Sequence, residues 1–362
     1  MAVEDQSMLG IFGMTVYELM AAEEYARALI TDEHTVRAMK EFTDASPKAD
    51  AFKSDAIRGT GAWKSDAGTM LMTSIFLDDP KKLDSFKLLL DQMLIKPPVY
   101  RDLADWWLFF AALEAATGFQ LETCVGRKRE GGLTTHLLEA LGTQGKIWSA
   151  YIAEPVKRAG ATLSISNIDL EVGGGEQATG GDFGLILDFD GKTVQPGAKK
   201  RPDDHRIVPL IFQAKRYARP TADISQSHPK RGPQHTLLGR NDCAAAYIFY
   251  ENLKHAPIPL PPLVKRVENV PGPTTTDVLD QSLDFATYLL RAAIDPVYAP
   301  RAHSTDDALR MIFKKAAPQD LTKLVVVSND PGAGNRYRSG FGMLKHRLKG
   351  YGDEPDFVHQ EN

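Results

Sequence analysis

Cysteine is scarce: only Cys124 and Cys243 occur in a chain of 362 residues. They fit no metal-ligand spacing, and a chain of this length needs no disulfide staple. Both are therefore expected as buried, inert thiols in a reducing compartment. His136, His205, His228 and His235 fall in no zinc-binding pattern. No apolar run approaches the roughly 18 residues that span a membrane. A basic-then-apolar leader is also missing. The expectation is a cytoplasmic protein with no membrane partner. Without a Gly-x-Ser-x-Gly elbow or a Cys/His pairing, covalent catalysis has no support. VVVSNDPGAGN has the strand-then-glycine layout of a phosphate-cradling turn. It lacks the Gly-Lys-Ser/Thr ending of a P-loop, so a plain turn is expected there. No internal repeat stands out.

Basic charge is in short supply overall, with a net charge of −4. That argues against a protein that coats nucleic acid wholesale. The distribution is uneven, however. Between Lys192 and Arg231 lie ten Lys or Arg against three Asp, a local surplus of +7, so the remainder carries −11. A solvated basic loop and a phosphate-tracking surface are the two readings of that segment. Hydrophobic residues make up 43% and charged residues 25%, an ordinary globular balance with material for a large core.

Three regions follow from the patterning. Residues 1–125 are expected to be largely helical, with apolar residues at helical spacing in MTVYELMAAEEYARALI and DAGTMLMTSIFLDD. DPKKLDSFKLLLDQML opens with a helix-starting Asp-Pro, and RDLADWWLFFAALEAATG stops at Gly118. The aromatic cluster Trp106, Trp107, Phe109 and Phe110 is expected in the core. Residues 126–252 alternate between types. EGGLTTHLLEALG places Leu133, Leu137, Leu138 and Leu141 on one helical face. ATLSISNIDLEV reads as a strand, DFGLILDFDGKTV as a hairpin turning at Asp190-Gly191, and RIVPLIFQAKR as a strand. A short helix in PQHTLLGRNDCAA and a strand in AYIFYEN complete the region. Residues 253–362 are expected as an α/β extension packed on it, with a helix through DVLDQSLDFATYLLRAAI and a strand in DLTKLVVVSN.

PLIFQAKRY ends a buried run in Gln213 and Lys215, two residues apart and so on one face of a strand. Asp182 enters the preceding strand, and Glu130 begins a helix. These are the residue types that phosphodiester hydrolysis requires. Carboxylates and carbonyl oxygens hold a hard divalent cation. The cation acidifies water and polarises the phosphoryl oxygen, and a fixed ammonium offsets the developing charge. Asp182 and Glu130 supply carboxylates, the Ala214 carbonyl and the Gln213 amide supply neutral oxygens, and Lys215 supplies the cation. Glu139, Glu154, Glu171 and Glu176 compete with Glu130. The plain alternatives are a solvated strand end for Gln213 and Lys215 and a turn cap for Asp182.

GGDFGLILDFD and VPLIFQAKR, preceded by REGGLTTHLLEALG, resemble the PD-(D/E)XK nuclease superfamily in its Gln-x-Lys variant. Within it, the chain resembles bacterial nucleases that pair a "TGADF" stretch with "QAKR", many of them linked to anti-phage defence. The likeness covers residues of about 127–250. The resemblance implies a restriction-endonuclease-like α/β core, a mixed sheet flanked by helices, plus the helical N-terminal region. It implies catalytic Glu130, Asp182, Gln213 and Lys215, with metal ligation by Glu130, Asp182 and Ala214. Mg²⁺ is the implied cofactor, Mn²⁺ a substitute. DNA held through its phosphates is the implied partner, in a homodimer or larger assembly, with a partner protein as a further expectation. Gln234 stands where such enzymes often carry another polar residue. Glutamine in the motif's acidic position gives up one carboxylate, which keeps an inactive DNA-binding module in view. An RNase using the same site is the other alternative.

Overall fold

The computed structural model describes residues 103–119, 123–124, 128–151, 153–158, 160–170, 182–190, 205–217, 221–228, 232–252, 262–278, 281–313, 321 and 323–351. The helices expected over residues 14–100 and the glycine runs at 173–175 and 179–181 lie outside them.

Seven helices and eleven strands are described. The helices are α1 (Leu103–Gly118), α2 (Glu130–Tyr151), α3 (Ala153–Arg158), α4 (Gln234–Leu238), α5 (Phe285–Ile294), α6 (Thr305–Phe313) and α7 (Ala333–Tyr351). The strands are β1 (Ser164–Asp169), β2 (Phe183–Asp188), β3 (Ile207–Tyr217), β4 (Thr221–Asp223), β5 (Ser227–His228), β6 (Gly232–Pro233), β7 (Ala244–Glu251), β8 (Leu263–Arg266), β9 (Thr275–Asp277), β10 (Leu283–Asp284) and β11 (Lys323–Ser328). Seven strands form one mixed sheet in the order β1-β11-β2-β3-β7-β8-β10. β2 runs antiparallel to β3, and β3 parallel to β7. The fold is mixed α/β, with helices flanking the sheet.

The central strands are apolar on both faces because both faces are covered. Every residue of β2 and β7 is buried, and in β3 only Arg216 is exposed. β3 carries Pro209, which has no N–H to give a ladder. Phe212 and Ala214 turn their polar backbone groups to the β2 side, so odd-numbered residues face β7. Pairing with β7 begins only at Leu210, so Pro209 costs the sheet no hydrogen bond.

α1 is apolar all round and accordingly buried, packing against α2 and α5. Trp106, Phe110 and Trp148 form its ring cluster, with centroids 4.7–5.5 Å apart. Leu133, Leu137, Leu138 and Leu141 of α2 are buried as their spacing predicts, and both cysteines are buried and free.

The local expectations fare differently. β2 pairs with β3 and β11, and the second arm of the expected hairpin, residues 192–194, lies outside the described residues. The helix expected from Asp277 starts at Phe285, because the Asp284 side chain accepts from the N–H groups of Ala286 and Thr287 and caps it there. After β11 the glycine turn is a plain one, as expected. The Asp330 carboxylate accepts from Gly332 N at 2.8 Å and so takes an N–H that a phosphate would need. β11 itself lies between β1 and β2, so the sheet draws on both sides of residue 252.

Candidate functional site

The site grows out of the point where β2 begins. Asp182 N donates to Phe212 O at 2.7 Å, the first bond of the β2–β3 ladder. Beyond it β2 offers no partner to the next N–H groups along that edge of β3, at Ala214 and Arg216. Side chains take both. Asp182 Oδ2 accepts from Ala214 N at 2.8 Å, and Glu130 Oε2 accepts from Arg216 N at 2.9 Å. The donors are two residues apart, so the two carboxylates lie along one strand edge about 7 Å apart. The Ala214 carbonyl points to the same side, between those two N–H groups.

Glu130 reaches this edge because its helix is anchored at its start. Asn252 Oδ1 accepts from Lys128 N, and Asn252 Nδ2 donates to Cys124 O, both at 2.9 Å. One turn into α2, Thr134 Oγ1 lies 3.3 Å from the buried Tyr250 hydroxyl. The Arg216 guanidinium donates to Lys128 O. Among the rival glutamates, Glu139 is exposed on α2. The Glu154 side chain, Glu171 and Glu176 lie outside the described residues.

On the face of β3, Gln213 and Lys215 point the same way and both are buried. Gln213 Nε2 donates to Asp182 Oδ2 at 2.8 Å and to Ala214 O at 3.1 Å. Gln213 Oε1 accepts from Gln234 Nε2 at 2.8 Å. Lys215 Nζ donates to Gln226 Oε1 at 2.6 Å. The short β5–β6 pairing brings Gln226 and Gln234 together, and Gln234 N donates to Gln226 O at 2.9 Å. Three glutamines thus surround the end of the motif. Sequence reasoning missed Gln226: it sits in a connecting segment, and no spacing rule marks it.

Burial pushes the Asp182 carboxyl up to about 7, and the charge of Glu130 adds to the rise. The Ala214 N–H, Lys215 and Gln213 oppose it. Burial also raises the Tyr250 phenol, and the charges of Asp182 and Glu130 push it in the same direction. A half-charged carboxylate in a dry setting is a group that a bound cation would favour.

The residue set fits a hard cation with few carboxylates. Asp182 Oδ2 and Ala214 O converge so closely that one N–H₂ group bonds both. Among the described residues no group of three or more His, Cys, Asp or Glu side chains is arranged to hold a metal. A cation here would rely on two carboxylates, carbonyl oxygens and water, a donor set that suits Mg²⁺.

The basic segment divides. Lys192, Lys199, Lys200, Arg201, Arg219, Lys230 and Arg231 lie outside the described residues. Arg206, one of the ten bases between Lys192 and Arg231, fits neither a solvated loop nor a phosphate-tracking surface. It is buried, its guanidinium bonds Asp105 Oδ1 at 2.9 Å, and it lies over the Phe189 ring.

No protein-family model, curated protein or solved structure matches the chain.

Proposed function

We propose that this protein is a metal-dependent nuclease that hydrolyses DNA phosphodiester bonds on a restriction-endonuclease-like core. One observation carries the reading: the Asp182 and Glu130 carboxylates flank the Ala214 carbonyl along one edge of β3, with Lys215 on the adjoining face. Asp182, Glu130 and Ala214 O are the residues that would hold Mg²⁺, with Gln213 assisting. When bound, Mg²⁺ supplies acidified water and a polarised phosphoryl oxygen. Asp182 must be ionised to ligate, so the proton it holds near neutral pH leaves first. Lys215 offsets the negative charge that develops on the phosphoryl group and orients the attacking water. Gln226, which takes the Lys215 ammonium at 2.6 Å, sets its direction.

DNA is held through its phosphates, with the basic residues between 192 and 231 other than Arg206 as its contacts. Cleavage of both strands needs two such sites, which favours a homodimer. Defence against phage or foreign DNA is part of the proposal through the motif resemblance, and a partner protein would then act as trigger.

Supercoiled plasmid and an RNA of similar length test this side by side. The wild type is expected to nick the plasmid with Mg²⁺ or Mn²⁺ and to stop in EDTA. Lys215→Ala is expected to lose at least about a hundredfold in rate while still binding DNA. DNA binding without cleavage under either metal would favour the inactive DNA-binding module, and cleavage of RNA alone would make the protein an RNase.

A further inference from the structure

The Gln213–Gln234 pair is held from one side only. Gln213 gives both hydrogens of Nε2 to oxygens assigned above as cation ligands, Asp182 Oδ2 and Ala214 O. Asp182 Oδ2 also accepts from Ala214 N, so both of its lone pairs are taken and it cannot ligate a cation while it accepts that amide. For Asp182 Oδ2 to take a cation that amide must leave it, and turned over it presents Oε1 rather than Nε2 to Asp182 and Ala214. Its Nε2 then faces Gln234, which at present donates to Gln213 Oε1. Two N–H₂ groups cannot face each other productively, so Gln234 must turn as well.

Whether Gln234 is free to do so depends on its far end. Gln234 Oε1 is buried and has no hydrogen-bond partner. Turning the Gln234 amide therefore breaks no hydrogen bond at its far oxygen, and the one bond it does break is the bond to Gln213. A glutamine is the one common side chain that can donate in one orientation and accept in the other at the same length.

We propose that Gln234 is a positioning residue whose amide turns over together with that of Gln213, so that the pair exchanges an N–H₂ for a carbonyl oxygen at the cation site. The inference rests on the metal-site reading above. It makes the glutamine of the motif an exchangeable ligand where an acidic residue would be a fixed one.

Mn²⁺ affinity of the full chain without nucleic acid tests it, by calorimetry or by the spin resonance of free Mn²⁺. Gln234→Glu can only accept, which holds Gln213 in the cation-ready orientation. Gln234→Lys can only donate, which holds it in the opposite one. Gln234→Met does neither. Relative to Gln234→Met, the acceptor variant is expected to bind Mn²⁺ about tenfold tighter and the donor variant about tenfold weaker. Thr236→Glu and Thr236→Lys, on the same short helix, measure the effect of charge alone and should move affinity far less. In the wild type, Mg²⁺ should shift the side-chain amide resonances of Gln213 and Gln234 together, a readout that needs no variant to fold. If Mn²⁺ binding depends on Asp182 but the Gln234 variants follow the Thr236 controls, or only one amide responds, the inference falls and the metal site stands. If no Asp182-dependent binding occurs, both fall.

Discussion

At the residue scale the account turns on the Asp182 carboxyl group. Its pKa in the folded chain is about 7, above the ordinary 3.8, and burial is the main cause. The folded state therefore holds the proton more tightly than the unfolded chain does. That contribution to stability is complete below about pH 4 and is lost as pH rises through about 7. Asp182→Asn, which never ionises, should gain stability relative to the wild type between about pH 5 and about pH 9, as urea unfolding at both values will show. An unchanged difference would mean that the carboxyl is not held in a dry site. Much of this site was legible in the sequence. Gln213 and Lys215 share a face by strand alternation, and Asp182 marks the entry to the strand that pairs with theirs. Glu130 was legible only as a helix start among rivals, because its position depends on the Lys128–Asn252 anchor, a contact across the chain. Gln226 was not legible, since only the fold brings it to Lys215.

At the scale of elements, the close approaches are made by glycines. On α7, a Cβ at Gly334 would stand 2.6 Å from Ser166 Oγ and 2.9 Å from Ser166 Cβ, so the helix lies tight on β1. At Gly342, eight residues on, a Cβ would meet nothing within 4 Å. Gly334→Ala should therefore cost about 1–3 kcal/mol through overpacking, whereas Gly342→Ala should stabilise by about 0.5–1 kcal/mol through helix propensity. Denaturant midpoints check both, and a loss at Gly342 or none at Gly334 would contradict the packing of α7. Element types were legible from periodicity in β2, β3, β7 and α2. The start of α5 was not, because the apolar spacing of DVLDQSLDFATYLL runs on across Leu283 and Asp284, which the structure folds as the short strand β10. The Asp284 cap, not the periodicity, sets the boundary.

At the scale of the whole molecule, the order of the sheet matters most. β11 comes from residues 323–328 yet lies between β1 and β2, parallel to β2 along its full length. The strand that leads out of Asp182 is thus braced by a segment more than a hundred residues later. Sequence order carries no such register, so the C-terminal third reads as an extension packed on the core when it is part of the sheet itself. A chain ending at residue 320 should lose its cooperative unfolding transition by circular dichroism; a chain that kept it would show that β11 is dispensable. The most direct test of the central claim surveys the molecule at once: anomalous diffraction from crystals of the protein soaked in Mn²⁺. The account predicts a peak within direct ligand distance, about 2.0–2.3 Å, of an Asp182 carboxylate oxygen and the Ala214 carbonyl. Mn²⁺ found elsewhere, with that strand edge empty, would contradict it.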